Sequence, residues 1–177
     1  MSSYCEASDG HPVHGPYHDT VHGYPTNDEA DLFERLTMEI NQAGLSWLTI
    51  LKKREGLQKA FAGFDVDKVA DFNEKDFACL MNDAGIIRNS LKIRAVIHNA
   101  QVIRSMRESH GGFAKWIDAH HPLAKDDWVN IFKKTFKFTG GEIVGEFLMS
   151  VGYLPGAHDE NCPIYKKIAK LKPAWNR

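Results

Sequence analysis

Apolar residues recur at three- and four-residue spacings along most of the chain, a pattern that predicts helices packed on one side. The clearest stripe comprises Leu32, Phe33, Leu36 and Ile40. It predicts a helix over residues 28–42, with Asn27 as its cap and Glu39 in its last turn. Burying a carboxylate there is costly unless a positive or hydrogen-bonding group meets it. Glu39 is therefore either an ordinary solvated side chain or a buried group that needs a partner.

The same spacing predicts a series of further helices with short connections. Gly44 ends the first helix, Ser46 can cap the next, and Trp47 begins it. Further helices are predicted over residues 47–61, 65–70, 113–120 and 142–151, and one begins at Asn73. A long helix follows a tight turn at Gly85 and ends near His110. No strand pattern of convincing length and no internal repeat appears, so the expected fold class is all-α.

The first 27 residues are rich in Gly, Pro, His and Asp, with almost no helical period. They are expected to be irregular and to be held in place by something other than their own secondary structure. His158 and Cys162, four residues apart beyond the last predicted helix, can reach one metal ion, and Cys5 and His18 could complete a tetrahedral site. A zinc ion there would join the two ends of the chain. The alternative is scattered surface histidines and buried cysteines.

Composition narrows the class of protein. The chain has 177 residues, of which 43% are hydrophobic and 25% charged, which suits one compact domain over residues 1–177. No apolar run is long enough for a bilayer and the start lacks a secretory signal, so no membrane partner and a cytoplasmic location are expected. The three cysteines argue against a disulfide framework, and Cys79 is expected in the core.

A net charge of −1 gives no overall nucleic-acid signature, so DNA binding would need a local patch. The turn Gly85-Ile86-Ile87-Arg88 between two helices offers one. Its backbone amides and the following helix terminus can seat a phosphate without reading sequence, with Arg88, Lys92 and Arg94 nearby. An ordinary helical corner with solvated basic residues is the alternative. Lys133, Lys134 and Lys137, ahead of Gly140 and Gly141, could form a second phosphate contact.

Together these segments resemble the DNA-3-methyladenine glycosylase I family, a branch of the helix-hairpin-helix DNA glycosylases. The resemblance runs over almost the whole chain. The strings that carry it are Tyr17-His-Asp19, Gln42-Ala-Gly-Leu-Ser-Trp47, Leu51-Lys-Lys-Arg54, Asp83-Ala-Gly-Ile-Ile-Arg88, Phe136-Lys-Phe138 and His158 to Cys162. The second and fourth of these strings, in that order, are highly specific.

The resemblance implies a helix-hairpin-helix fold with a helical core over 28–152 and a hairpin near 85–88. Segments 1–27 and 153–177 would be joined by a structural Zn²⁺ held by Cys5, His18, His158 and Cys162. It further implies that the residues contacting the base are Tyr17, Trp47 and Glu39, with His22 and Asn41 as additional candidates. The DNA contacts expected are Gly85, Ile87, Arg88, Lys92, Lys134 and Lys137.

The activity implied is hydrolysis of the N-glycosidic bond of alkylated purines, chiefly N3-methyladenine, in double-stranded DNA. Glu39 would be the catalytic residue, free 3-methyladenine the product, and an abasic site would remain. No lysine is placed for Schiff-base chemistry, so a monofunctional enzyme is expected. A monomer is expected.

The chain also departs from the family pattern. Ala7 stands where the family usually has tryptophan, and Val21-His22-Gly23 replaces a usual Glu-Trp-Gly. Each aromatic side chain lost from the pocket could cost about 1–3 kcal/mol of base-binding free energy. A protonated His22 would in addition repel a cationic base. The alternatives are therefore a glycosylase with altered adduct specificity, a non-catalytic DNA- or lesion-binding paralogue, and a structural zinc-stapled helical domain.

Overall fold

The computed structural model describes residues 3–177 and contains no strand within them. Its first six helices are α1 (Tyr4–Ser8), α2 (His14–Thr20), α3 (Glu29–Gln42), α4 (Trp47–Lys52), α5 (Arg54–Ala60) and α6 (Val66–Ala70). The next six are α7 (Glu74–Met81), α8 (Ser90–His110), α9 (Phe113–His120), α10 (Lys125–Thr135), α11 (Gly141–Ser150) and α12 (Pro163–Lys170). Single 3-10 turns lie at Ala62–Phe64 and Ala174–Asn176. The all-α prediction is confirmed.

The caps explain most of the helix boundaries. Asp28, rather than Asn27, caps α3 by accepting from the Asp31 amide, whereas Ser46 caps α4 as predicted. The helix predicted over 47–61 is divided at Lys53 into α4 and α5.

The prediction of an irregular N-terminus was wrong. Two short helices lie within it, and the second begins where His11 Nδ1 accepts the amides of Val13 and His14 at 3.1 Å. Local side-chain capping of this kind is invisible to hydrophobic periodicity. Helix α12 was likewise missed, because only its Ile164 and Ile168 are buried apolar side chains.

Helix α3 runs through the core, and the four residues of its predicted stripe are at most 1% exposed. Arg35 on this helix donates to the carbonyls of Tyr24 and Ser150, at 2.9 and 2.6 Å. It therefore joins the N-terminal segment and α11 to α3. Cys79, expected in the core, is exposed on α7 instead.

Lys92 corrects a second prediction. Its side chain is 4% exposed, and Nζ donates to the carbonyls of Asn41 and Ala43 at 2.7 and 2.6 Å. The ammonium therefore satisfies carbonyls at the end of α3 and fixes the 43–46 connection, and it is not free to meet DNA. None of the helices in residues 3–177 combines the length and apolar character that crossing a bilayer requires.

Candidate active site

A cavity of about 810 Å³ opens where α1, the end of α3, the start of α4 and α11 meet. Its polar and aromatic lining comprises Tyr4, His22, Glu39, Gln42, Trp47, Glu142 and Glu146. No lysine or arginine lines it, so the described wall carries three carboxyl groups and no formal cation. Such a lining favours a ligand that is positively charged or rich in hydrogen-bond donors.

Glu39 is the deepest of these carboxyl groups, with 5% of its surface exposed. No described residue forms a hydrogen bond or ion pair with its carboxylate, although it lies against the cavity. Burial, reinforced by the nearby Glu146, raises the pKa of Glu39 well above its ordinary value. A buried acid without a protein partner is costly to keep, which indicates that its partner arrives with the ligand.

Trp47 lines the cavity as predicted, but Tyr17 does not. Tyr17 is 3% exposed and packs edge-on against Trp47, with ring centroids 5.5 Å apart. Tyr17 is also close enough to Glu39 to be influenced by its charge, and no described residue forms a hydrogen bond with its buried hydroxyl. Its contact with the base stays a prediction.

His22 reaches the cavity and is 8% exposed. Burial, together with the adjacent His158 and His18, lowers the pKa of His22 to about 3. The imidazole is therefore neutral at physiological pH, and the repulsion expected from a protonated His22 does not arise. The next residue, Gly23, has φ +83°, a conformation that favours glycine. A Cβ added there would lie only 2.9 Å from the Ala157 Cβ.

Tyr4 is a cavity residue that sequence reasoning missed. Its ring packs edge-on against His22 with ring centroids 5.3 Å apart, whereas Ala7 is exposed and outside the lining. The only signal for Tyr4 was its position one residue before Cys5.

Asn41 also departs from expectation. It is 3% exposed, lies outside the lining, and donates to the Thr37 carbonyl at 2.8 Å.

The four residues singled out as metal ligands converge, with all ligand atoms within 4.8 Å of one another. His18 Nε2 lies 3.0 Å from His158 Nδ1, and Cys162 Sγ lies 3.9 Å from each nitrogen. Cys5 Sγ lies 3.7 Å from His158 Nδ1. A tetrahedral site built on ordinary metal–nitrogen and metal–sulfur bonds has edges of about 3.3–3.8 Å. The donor set and its spacing fit such a site.

The outer nitrogens of the two histidines are also occupied in the manner of metal-binding histidines. His18 Nδ1 meets Asp19 Oδ1 at 2.7 Å, and His158 Nε2 meets the His22 carbonyl at 2.7 Å. These contacts orient His18 Nε2 and His158 Nδ1 towards the two sulfurs. The second contact also links this cluster to the cavity, because His22 contributes to both.

The 82–89 turn between α7 and α8 presents an exposed surface around a buried anchor. Ile86 is 3% exposed, whereas Gly85 and Arg88 are exposed. The Gly85 amide donates to Asp83 Oδ1 at 2.7 Å and is therefore engaged, contrary to expectation. The amides of Ile87 and Arg88 donate to no described residue and remain available.

Helix α5 supports this turn closely. Gly56 lies beneath it, and an added Cβ there would come within 2.3 Å of the Gly85 carbonyl oxygen. Lys53 Nζ donates to the Ala84 carbonyl at 3.0 Å.

The second basic segment, residues 133–137, is also held in place. The buried Asn99 exchanges hydrogen bonds with the Lys137 backbone, whereas the side chains of Lys134 and Lys137 stay exposed.

Comparison with known proteins agrees with this geometry. The sequence pattern of the methyladenine glycosylase family matches residues 7–130. The DNA-3-methyladenine glycosylase 1 of Escherichia coli is 36% identical over an alignment 173 residues long. The alignment covers 87% of this chain and 92% of that protein.

Solved structures give the same result. The 3-methyladenine DNA glycosylase I of Staphylococcus aureus superposes with a TM-score of 0.80 at 31% identity, over 92% of this chain and 97% of that one. A structure of 3-methyladenine DNA glycosylase I in complex with 3-methyladenine gives a TM-score of 0.81 at 30% identity, with the same two coverages.

Proposed function

This chain belongs to the methyladenine glycosylase family, and we propose that its Glu39 cavity binds the alkylated base. The protein is a monofunctional DNA glycosylase that removes 3-methyladenine in base-excision repair. One observation carries the assignment of the site. Glu39 is 5% exposed, has no partner among residues 3–177, and borders an open cavity of about 810 Å³.

The chemistry of the substrate fits this site. N3-alkylated adenine carries a positive charge while it is joined to deoxyribose, so its glycosidic bond is already weakened. The enzyme must extrude the nucleotide from the duplex, which costs less for a damaged base. Glu39 can then accept from the exocyclic amine and favour the charged ring. Water replaces the base at the sugar carbon and leaves an abasic site.

Three aromatic side chains supply the stacking surface in this proposal. Trp47, Tyr4 and His22 line the cavity, and an aromatic face attracts a cationic ring. Tyr4 would restore part of the surface that the family draws from the position of Ala7. The alternatives of altered adduct specificity and of a non-catalytic paralogue are not favoured, since the relatives are 3-methyladenine DNA glycosylases.

DNA would approach the 82–89 turn and the exposed lysines of the 133–137 segment. The amides of Ile87 and Arg88 and the start of α8 suit one phosphate, with the Arg88 guanidinium beside them. Lys134 and Lys137 would contact another stretch of backbone. The helix-hairpin-helix role of this turn is supported by the Ile87 and Arg88 amides, which donate to no described residue, and by the close packing of Gly56 beneath it.

A structural Zn²⁺ held by Cys5, His18, His158 and Cys162 completes the proposal. Its support is the convergence of the four ligand atoms within 4.8 Å of one another and the second hydrogen bond of each histidine. The ion would supply no chemistry to the reaction. It would join α1 and α2 to the C-terminal segment and thereby hold Tyr4 and His22 at the cavity. The cytoplasmic location and monomeric state stay predictions.

The function is tested by base release from methylated duplex DNA. Purified protein is expected to free 3-methyladenine and to leave abasic sites that break only on later heating in alkali, because no lysine supplies a Schiff base. Chromatography of the released bases and gel analysis of the strands measure the two results. If the protein binds methylated DNA in a gel mobility assay but releases no base, it is a non-catalytic DNA-binding protein and the glycosylase function is wrong.

A further inference from the structure

A second carboxylate, Glu146, faces the base cavity from the opposite helix. Glu39 lies on α3 and Glu146 on α11, which pack against each other, and both side chains line the cavity. Glu146 is partly exposed, and no described residue forms a hydrogen bond or ion pair with it. The cavity therefore holds three acids, Glu39, Glu142 and Glu146, with which no described residue forms a hydrogen bond or ion pair.

Glu39 and Glu146 lie at different depths. Glu39 is 5% exposed, whereas Glu146 is of intermediate exposure and so lies nearer to the opening. An extruded nucleotide enters base first, since its sugar stays tied to the backbone. With its exocyclic amine at Glu39, the base has its deoxyribose on the opening side, where Glu146 and Glu142 lie. Of these two acids, Glu146 is the one that acts on the pKa of Glu39, which places it beside the bound base.

Charge moves in the same direction during the reaction. The purine ring carries the positive charge in the bound substrate. As the bond from C1′ to the base nitrogen breaks, the electron pair goes to the ring and the positive charge develops on the sugar. Only an interaction that strengthens in the transition state accelerates the step. A carboxylate beside the sugar meets this condition, whereas one beside the base mainly binds and orients.

We propose that Glu146 is a second catalytic residue, which stabilises the cationic sugar and accepts a proton from the attacking water. The proposal rests on the glycosylase function assigned above. In this step the C1′–N bond breaks, the water oxygen bonds to C1′, and 3-methyladenine leaves as a neutral base. The water proton passes to the Glu146 carboxylate and from there to solvent, so atoms and charge balance.

The surroundings of Glu146 suit a proton acceptor. Burial raises the pKa of Glu146, the neighbouring Glu142 raises it further, and Lys125 opposes the shift. A carboxylate with a raised pKa is a stronger base, and general base catalysis typically contributes about 10²–10⁴-fold. Glu108 is exposed on α8 and lies outside the cavity lining, so it serves as a matched control.

The test compares Glu146→Gln, Glu146→Asp and Glu108→Gln with the wild type. Single-turnover release of 3-methyladenine from methylated duplex should fall about 10²-fold in Glu146→Gln and recover in part in Glu146→Asp. In Glu108→Gln it should change less than about twofold. The affinity for free 3-methyladenine should stay within about twofold of wild type in all three, because the free base is neutral and meets Glu39.

Each other outcome has a definite meaning. If Glu146→Gln releases base at the wild-type rate, Glu146 has no catalytic role, although the glycosylase function stands. If its affinity for free 3-methyladenine falls as much as its rate, Glu146 is a base contact and the proposal is wrong. If Glu146→Gln does not fold, Glu146→Asp decides, since a wild-type free-base affinity with a reduced rate is expected. If the wild type itself releases no base, the glycosylase function fails first.

Discussion

Replacing Glu39 by glutamine is expected to slow 3-methyladenine release about 10²–10³-fold and, at the same time, to stabilise the fold. The rate falls because a neutral amide binds and orients the extruded base less well for cleavage. Stability rises because the folded protein no longer buries an unpartnered acid, as is common where function opposes stability. We expect Tm to rise by about 2–4 °C at neutral pH.

The pH dependence of this gain has a definite sign. The pKa of Glu39 is raised in the folded state above its ordinary value of 4.5, so in the window between these two values the folded protein binds more protons than the unfolded chain. Wild-type stability therefore falls as pH rises through that window. The advantage of Glu39→Gln should be absent below the window and should grow as the pH rises above 4.5.

Glu34→Gln is the matched control, because Glu34 is a buried acid on the same helix that does have partners. Its Oε1 accepts from Arg54 at 2.6 Å and from Gln58 at 2.9 Å. This variant should lose stability and keep the rate of base release, the reverse of Glu39→Gln. Thermal unfolding from pH 4 to 8 and single-turnover assays measure both quantities. A Glu39→Gln protein that is less stable than wild type at neutral pH would contradict the account.

Removing one ligand of the proposed metal site is expected to have the second largest effect. Cys162→Ser should lose the bound metal and about 3–5 kcal/mol of stability, a fall in Tm of about 10 °C or more. Base release should slow as well, because His158 holds the His22 carbonyl at 2.7 Å and thereby fixes the cavity wall. Elemental analysis, thermal unfolding and the release assay measure the three effects.

Cys79→Ser is the control for this change. Cys79 is exposed on α7 and outside the cluster, so its replacement should leave metal content, Tm and rate at wild-type values. A Cys162→Ser protein that still binds one equivalent of zinc would show that these four residues do not form the site. Loss of the metal with an unchanged Tm would show that the ion does not join the two ends.

Hydrophobic periodicity predicted the helices whose apolar residues form a stripe along one face. The stripe on α3 is recognisable because its apolar residues recur every turn, and it led directly to Glu39 in the last turn. Helices α1 and α2 have no such stripe, since they are held by His11 capping and by the cluster of ligand residues. Hydrophobic pattern alone therefore reported them as irregular.

The depth of each side chain could not be predicted from sequence. Lys92 looks like a surface base in the string after the 82–89 turn, yet two carbonyls at the end of α3 draw its ammonium inside. Tyr17 and Tyr4 are both aromatic residues in the N-terminal segment, and only the fold shows that Tyr4 lines the cavity while Tyr17 packs edge-on against Trp47. Glu146 carried no motif, because its importance arises from facing α3 across the cavity.

The central claim is that the cavity beside Glu39 receives an alkylated adenine, and titration with free 3-methyladenine tests it most directly. The Trp47 indole resonance should shift and saturate, while those of the buried Trp116 and Trp128 should not, and Tyr4→Ala should weaken the binding. Adenine should bind less well than 3-methyladenine. If Trp47 is unperturbed at saturating base, or if all the indoles shift alike, the cavity is not the base-binding site and the account is wrong.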